Sequence, residues 1–269
     1  MTRIAVLDHG YVEVVESWGS DERIIEAARM STAKGFTGWG PKGSYCPRTG
    51  CGWEGTDEEA KQAGDAVFTS RCPRCNETGL NAIQGDEKLL RYFWKHRHAT
   101  PFEMAGLIVE VQAPIFVFRE WHRHRTQSFN ELSSRYTALP DLNYVPTVDR
   151  LLMQSKTNKQ AAAAPGAEVL TAEAAAAYRT ALETTYGHQQ DFYELALAAG
   201  IPKELARVHL PVGRYSRMRA AANLRNWLAF LTLRLDAAAQ WEIRQYAAAL
   251  HSLLESLFPR TLYLFDGDR

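Results

Sequence analysis

All the thiols of this 269-residue chain fall in one stretch, as Cys46, Cys51, Cys72 and Cys75. Cys46-x4-Cys51 and Cys72-x2-Cys75 read as two chelating turns whose thiolates can point at one tetrahedral ion, the spacing of a zinc ribbon. The first pair is wider than the usual two-residue gap, and two disulfides or free structural thiols are the rival readings. Composition changes around them: from Gly35 to Gly85 the chain is glycine-rich, carries Pro41, Pro47 and Pro73, and holds no sustained period. We therefore expect a small inserted lobe over residues 38–85 with a structural zinc on four thiolates, which leave no open position for catalysis. Elsewhere the chain offers no cysteine nucleophile.

A hydrophobic fraction of 46% supports a real core, and we read residues 1–269 as one domain carrying that insertion. Lys+Arg and Asp+Glu are equal at 31 each, so no global field draws the chain to nucleic acid or to a membrane. The N-terminus lacks a long apolar segment and no run of 18 apolar residues occurs, so a cytoplasmic protein is expected.

Arg3–Leu7 and Tyr11–Val15 are β-branched runs around Asp8-His9-Gly10, a hairpin, and Ser20 or Asp21 then caps a helix. Asp86 is read as the cap of a helix from Glu87 to His96, Leu107–Val111 as a strand, and Pro114 as the start of a helix through Trp121 and onward. Residues 155–171 form an alanine-rich loop, followed by a helix from Ala172 to Ala199 with Thr171 as N-cap and Gly200 as C-cap. Pro202 opens a short helix ended by Leu210-Pro211. Asn223 caps a helix with a stripe of Leu224, Trp227, Leu228, Leu231 and Leu235, and Ala237–Leu257 forms the last helix, closed by Pro259. The whole reads as α+β, a mixed or antiparallel sheet with several long helices plus the zinc-ribbon-like insertion.

Between Arg123 and Tyr136 three guanidiniums, one carboxylate and four small hydroxyl side chains crowd a stretch with only Phe129 and Leu132 to bury. No amphipathic element needs that pattern. Arginine forks grip phosphate in bidentate fashion and serine hydroxyls can complete the shell, so the stretch is a site for a phosphorylated, planar ligand. Farther on, Arg214, Arg217 and Arg219 follow one another quickly; the residues alone do not choose among them and Arg207 as the nucleotide-holding arginine, and solvated surface is the alternative reading. The rival class is a zinc-ribbon nucleic-acid-binding module whose arginines neutralise backbone phosphates, disfavoured by the zero net charge.

The string RHRTQSFNELSSRY, with Arg-His-Arg at 123–125 and Ser133 after seven residues, resembles the signature of the flavin-dependent thymidylate synthases. His98-Ala99-Thr100-Pro101-Phe102-Glu103, Pro202-x-Glu204-x-Ala206-Arg207 and NLRNWLAFLTLRLDAAAQWEIRQYA from Asn223 are similar to further segments of that family. The resemblance implies reductive methylation of dUMP to dTMP, with FAD as cofactor and methylenetetrahydrofolate and NADPH as co-substrates, in a homotetramer. It implies Arg234 as the group that activates the uracil. For dUMP it implies Glu120, Trp121, His122, Arg123, Glu131, Leu132, Ser133, Ser134, Arg135, Arg207 and Arg234. For FAD it implies His98, Thr100, Arg123, His124, Arg125, Glu131, Asn223, Leu224, Arg225 and Ala229. Three positions depart from the family's habit: Met104 and Ala238 stand where His is frequent, and Ala229 where a polar residue is. Arg225 and Arg234 are nine positions apart, and at about 100° each they face opposite sides of one helix, which is why neighbouring chains are expected to share active sites.

Overall fold

The computed structural model describes residues 2–40, 43–64, 70–82, 85–154, 161, 163 and 167–268. It divides into two compact units, one formed by Met1–Trp18 and Gly106–Leu257, the other by Gly19–Ala105 and Phe258–Arg269. The expected lobe lies inside the second unit. Among the described residues no helix is long and apolar enough to cross a membrane.

The first unit is built on an antiparallel sheet. Strands β1 (Arg3–Val6) and β2 (Gly10–Trp18) form the expected hairpin, with Leu7 at φ 58° in its turn. A side chain at Gly10 would run into the Tyr246 hydroxyl at 2.0 Å and the Val6 carbonyl at 2.7 Å, so the hairpin requires glycine there.

In the second unit β3 (Ser44–Tyr45), β4 (Glu54–Gly55) and β5 (Asn81–Ala82) make a small antiparallel sheet in the order β4-β3-β5. Helices α1 (Asp21–Arg29), α2 (Asp57–Gln62) and α3 (Asp86–Lys95) belong there too. Ser20 caps α1 as expected. Asp86 does not cap α3: Gly85 holds the cap position, and the buried Asp86 carboxylate instead receives the Arg29 guanidinium and the Thr37 backbone N–H at 2.6 Å. A carboxylate that deep must be paired, and the pairing outweighs the capping role.

Back in the first unit, β6 (Gly106–Pro114) buries Leu107, Val109, Val111 and Ala113 in strict alternation. It is followed by α4 (Ile115–Trp121), β7 (Ser128–Glu131), α5 (Val148–Leu152), α6 (Ala172–Ala198), α7 (Lys203–Ala206) and β8 (Tyr215–Asn223). The sheet order is β1-β2-β6-β8-β7. Its β8 was not foreseen: the segment that carries Arg217 and Arg219 is a strand lying between β6 and β7. Arg217 and Arg219 do point outward, while Met218, Ala220 and Ala222 turn in. Arg214 is the clearest correction. Only 1% exposed, it donates to the Pro140 carbonyl at 2.9 Å and to Asp141 at 2.7 Å.

Two more helices cover the sheet, α8 (Leu224–Arg234) and α9 (Trp241–Leu257). Trp121, Trp227, Phe230 and Tyr246 meet in one aromatic core, with the Trp227 indole N–H on the Leu107 carbonyl at 3.1 Å and the Tyr246 hydroxyl on the Gln112 carbonyl at 2.9 Å. Phe230 was outside the expected stripe yet is fully buried, while Leu235 is only partly so. In the second unit, Pro259 does not end the chain's helices but opens α10 (Pro259–Gly267), whose first turn is held by the Asp21 carboxylate. On α6, Thr171 is the N-cap as read, and Gly200 sits just past the C-cap Ala199. Of the alanine-rich loop, residues 155–160, 162 and 164–166 lie outside the described residues.

Candidate active site

Helix α4 ends at Trp121 and does not run into the Arg-His-Arg stretch. The reason is local: residues 123–127 bring few apolar groups to bury, so the chain turns, with Gln127 N–H reaching back to the His124 carbonyl at 3.3 Å. It then pairs as β7 along β8, Asn130 opposite Arg219 and Glu131 opposite Met218. The turn is tied to α8 by Asn226, whose side-chain amide donates to the Thr126 carbonyl at 3.1 Å.

Two clusters result. The first is a cavity of about 460 Å³ lined by Ile115, Phe118, Arg119, His122, Glu131, Leu132, Ser133, Ser134, Leu139, Arg207 and Ser216. Six of the residues expected for dUMP therefore come together there: His122, Glu131, Leu132, Ser133, Ser134 and Arg207. Arg207 donates to the Ser134 hydroxyl at 2.6 Å, which orients both groups at the cavity wall. Ser216, 1% exposed, has a hydroxyl with no hydrogen-bond partner among the described residues. A buried hydroxyl left unpaired beside a cavity is a group waiting for a polar ligand atom. Ser216 and Arg119 escaped sequence reading; only recognition of β8 as a strand with an inward face would have singled out the serine.

The second cluster surrounds Arg234 at the end of α8. Its Nε–H donates to His124 Nε2 at 2.9 Å, one terminal nitrogen donates to Glu120 Oε2 at 3.0 Å, and the other to the Glu120 carbonyl at 2.9 Å. Burial and the Arg234 charge hold the His124 imidazole down at about 4, so it is neutral near pH 7 and free to accept that bond. Burial pushes the Glu120 carboxyl up, and Arg234 opposes the shift. An arginine has five N–H donors; three are taken here, and one remains on each terminal nitrogen.

Other expected residues are placed differently. The Trp121 side chain is fully buried, its indole N–H on Gln127 at 2.9 Å, and Leu224 is equally buried. Arg123, Arg125, Arg225 and Ala229 are exposed, and Arg135 meets Glu204 at 3.2 Å on the surface. Asn223 is the N-cap of α8, its side chain accepting from Asn226 N–H at 3.0 Å. His98 and Thr100, both exposed, belong to the second unit.

Residues 13–260 match the family model described as thymidylate synthase complementing protein. The chain belongs to that family. It is 34% identical over 263 residues to a flavin-dependent thymidylate synthase of Thermus thermophilus, covering 98% of this chain and 78% of that one. To the enzyme of the same name from Ruegeria pomeroyi it is 33% identical over 268 residues, covering 98% and 73%. Among solved structures it is similar to the UMP/dUMP methylase PolB of Streptomyces cacaoi bound with 5-Br dUMP, with a TM-score of 0.68, 28% identity and coverage of 98% and 97%. The same methylase bound with 5-Br UMP also superposes with a TM-score of 0.68, at 27% identity over 98% and 96% of the two chains. Membership of this enzyme family fits a site with two guanidinium clusters and no thiol.

Proposed function

We propose that the chain is a flavin-dependent thymidylate synthase that converts dUMP to dTMP. One methylene from methylenetetrahydrofolate and a hydride from NADPH, with a proton, give dTMP, tetrahydrofolate and NADP⁺. The single observation that carries this reading is the pairing of the cavity walled by Arg207, Ser133, Ser134 and the unpaired Ser216 with the Arg234 cluster on the same short segment. Phe118, Arg119 and His122 face the cavity, while Glu120 and His124 meet Arg234.

In this reading Arg207 and the serines hold the phosphate of dUMP, with charge-assisted bonds that replace its water. The nucleotide gives Ser216 the polar partner its buried hydroxyl lacks. Arg234 keeps its proton at any working pH, its pKa being above about 12, so it acts as a fixed charge and not as a base. Its two remaining N–H groups face N3 and the adjoining carbonyl of the uracil, stabilise negative charge there and raise electron density at C5. Glu120 and His124 fix the plane of that guanidinium.

The residues assigned to FAD fit an anionic dinucleotide by donor chemistry: Arg123 and Arg125 are exposed guanidiniums in the turn that Asn226 ties to the start of α8, and Asn223 and Arg225 stand at that helix start. Bound flavin supplies the reducing electrons that turn the transferred methylene into a methyl group. No cysteine stands in the first unit to add at C6 of the uracil. A zinc on the four cysteines has no part in the chemistry, since four thiolates leave no open coordination position. The assembly is a homotetramer with sites shared between subunits, for which α6 offers surface: Tyr178, Phe192 and Leu195 are 54%, 60% and 68% exposed.

The test is direct. Purified protein should be yellow and should form dTMP from dUMP only when methylenetetrahydrofolate and NADPH are both present, read by chromatography of the nucleotides. The same assay with UMP measures how far the ribose 2′-hydroxyl is tolerated. Colourless protein that forms no dTMP after flavin is supplied would overturn the reading.

A further inference from the structure

The cysteine cluster is independent of the dUMP chemistry, and its geometry is specific. The Sγ atoms of Cys46, Cys51, Cys72 and Cys75 all lie within 4.8 Å of one another. Across the two turns, Cys46 meets Cys75 at 3.5 Å and Cys51 meets Cys72 at 3.6 Å. Those separations are far longer than the about 2.05 Å of a disulfide. They are close to the about 3.8 Å edge of a tetrahedron whose centre is about 2.3 Å from each sulfur, the zinc–thiolate bond length. Two disulfides would bring each sulfur to one partner; here every sulfur is near three.

The backbone around the cluster is shaped for the same purpose. In the first turn Gly50 and Gly52 take left-handed φ of 80° and 62°, and Cys51 N–H bonds the Arg48 carbonyl at 3.1 Å. In the second Asn76 takes φ 64°, with Asn76 N–H on the Cys72 carbonyl and Cys72 N–H on the Glu77 carbonyl, both at 2.9 Å.

Among the described residues, little apolar packing surrounds the cluster. The strands β3, β4 and β5 are two residues each, and three of the cysteines form a buried cluster whose partly buried surroundings are Trp53, Cys75 and Leu80. An apolar core of that size is too small to order about forty residues without a cross-link or a metal.

We propose that Cys46, Cys51, Cys72 and Cys75 bind one zinc ion as four thiolates in a closed tetrahedral site that takes the place of a hydrophobic core. Binding replaces four S–H protons by four Zn–S bonds, so the protons are released to solvent. The site is structural: it supports the lobe and carries no substrate.

The experiment uses the full chain as purified without chelator. Elemental analysis should find about one zinc per chain, retained through gel filtration and released in step with titration of four thiols by an organomercurial. Growth with cobalt in place of zinc should give the visible d–d bands of tetrahedral tetrathiolate Co²⁺. Cys72→Ser and Cys75→Ser should each lose the metal and lower the thermal midpoint, while bound flavin per chain stays near that of the wild type. Metal-free protein with four freely reactive thiols, an intact mass short by the hydrogens of two disulfides, or iron in place of zinc would each overturn the proposal. If the serine variants do not fold, the metal content of the wild type and its thiol-coupled release still decide.

Discussion

The cysteine cluster and the Arg234 cluster are both small constellations of polar side chains, but they are assembled in opposite ways. The cysteines lie within thirty residues of one another and are gathered by two short turns. Arg234 is brought to Glu120 and His124 across more than a hundred positions, by α4 and α8 packing on the same sheet through Trp121, Trp227 and Phe230. A locally gathered site depends on its own ligands for order. A site gathered over long range borrows its order from the core beneath it.

That contrast breaks first, if it breaks, at Arg234. Arg234→Ala should lower dTMP formation at saturating dUMP by about a thousandfold, as for loss of a preorganised charge donor, while FAD content and its reduction by NADPH stay largely intact. Arg234→Lys should rescue poorly, because a point charge cannot reproduce the fork. A turnover near wild type in the alanine variant removes Arg234 from the mechanism.

The next largest effect concerns Arg207. Truncation to Ala removes a charged donor to phosphate, worth about 1.5–3 kcal/mol, and should raise the KM for dUMP by about 10- to 100-fold with a smaller change in kcat. Equal losses in kcat and kcat/KM would place Arg207 at the transition state instead. Ser216→Ala should be milder, about 2- to 10-fold in KM, the value of one neutral hydrogen bond. An unchanged KM there would mean that its buried hydroxyl faces no ligand atom.

Acidity gives a separate probe of the Arg234 cluster. His124 titrates at about 4 in the folded chain, below the about 6.5 of an exposed imidazole. The unfolded chain therefore takes up this proton first as pH falls, so the stability that neutral His124 contributes is present above about 6.5 and is lost on the way down to about 4. Urea midpoints measured across that window should fall, and the His124→Gln slope should be shallower than that of the wild type. Parallel slopes would show that the imidazole is not held neutral by Arg234 and burial. The smallest effect is expected where the two regions should be uncoupled: Cys75→Ser should leave kcat per bound flavin within about twofold, as for energetically independent sites. A large fall would tie the lobe to turnover.

Much of this was legible in the sequence. The hairpin, the caps at Ser20, Thr171 and Asn223 and the four-cysteine cluster follow from short-range patterns, because capping, turn chemistry and chelation act over a few residues, whereas the grouping of His122, Glu131, Ser133, Ser134 and Arg207 was implied by the family resemblance. What the tertiary structure decided lies where burial is set by distant partners. The strand β8 alternates arginine with small residues and reads as surface until β6 and β7 flank it; only then does Ser216 become buried and Arg214 become a core cation bonded to Pro140 and Asp141. Asp86 looked like a cap because the residue type suits one, yet Arg29 and Thr37, fifty or so residues earlier, claim its carboxylate. The sequence by itself determined which chemical groups this protein has to work with, since residue types and their local spacing fix donors, ligands and turns. Which of those groups face a cavity, which face each other and which are sealed in the core was decided only by the order of the strands, because desolvation depends on what packs above a residue and not on its neighbours along the chain.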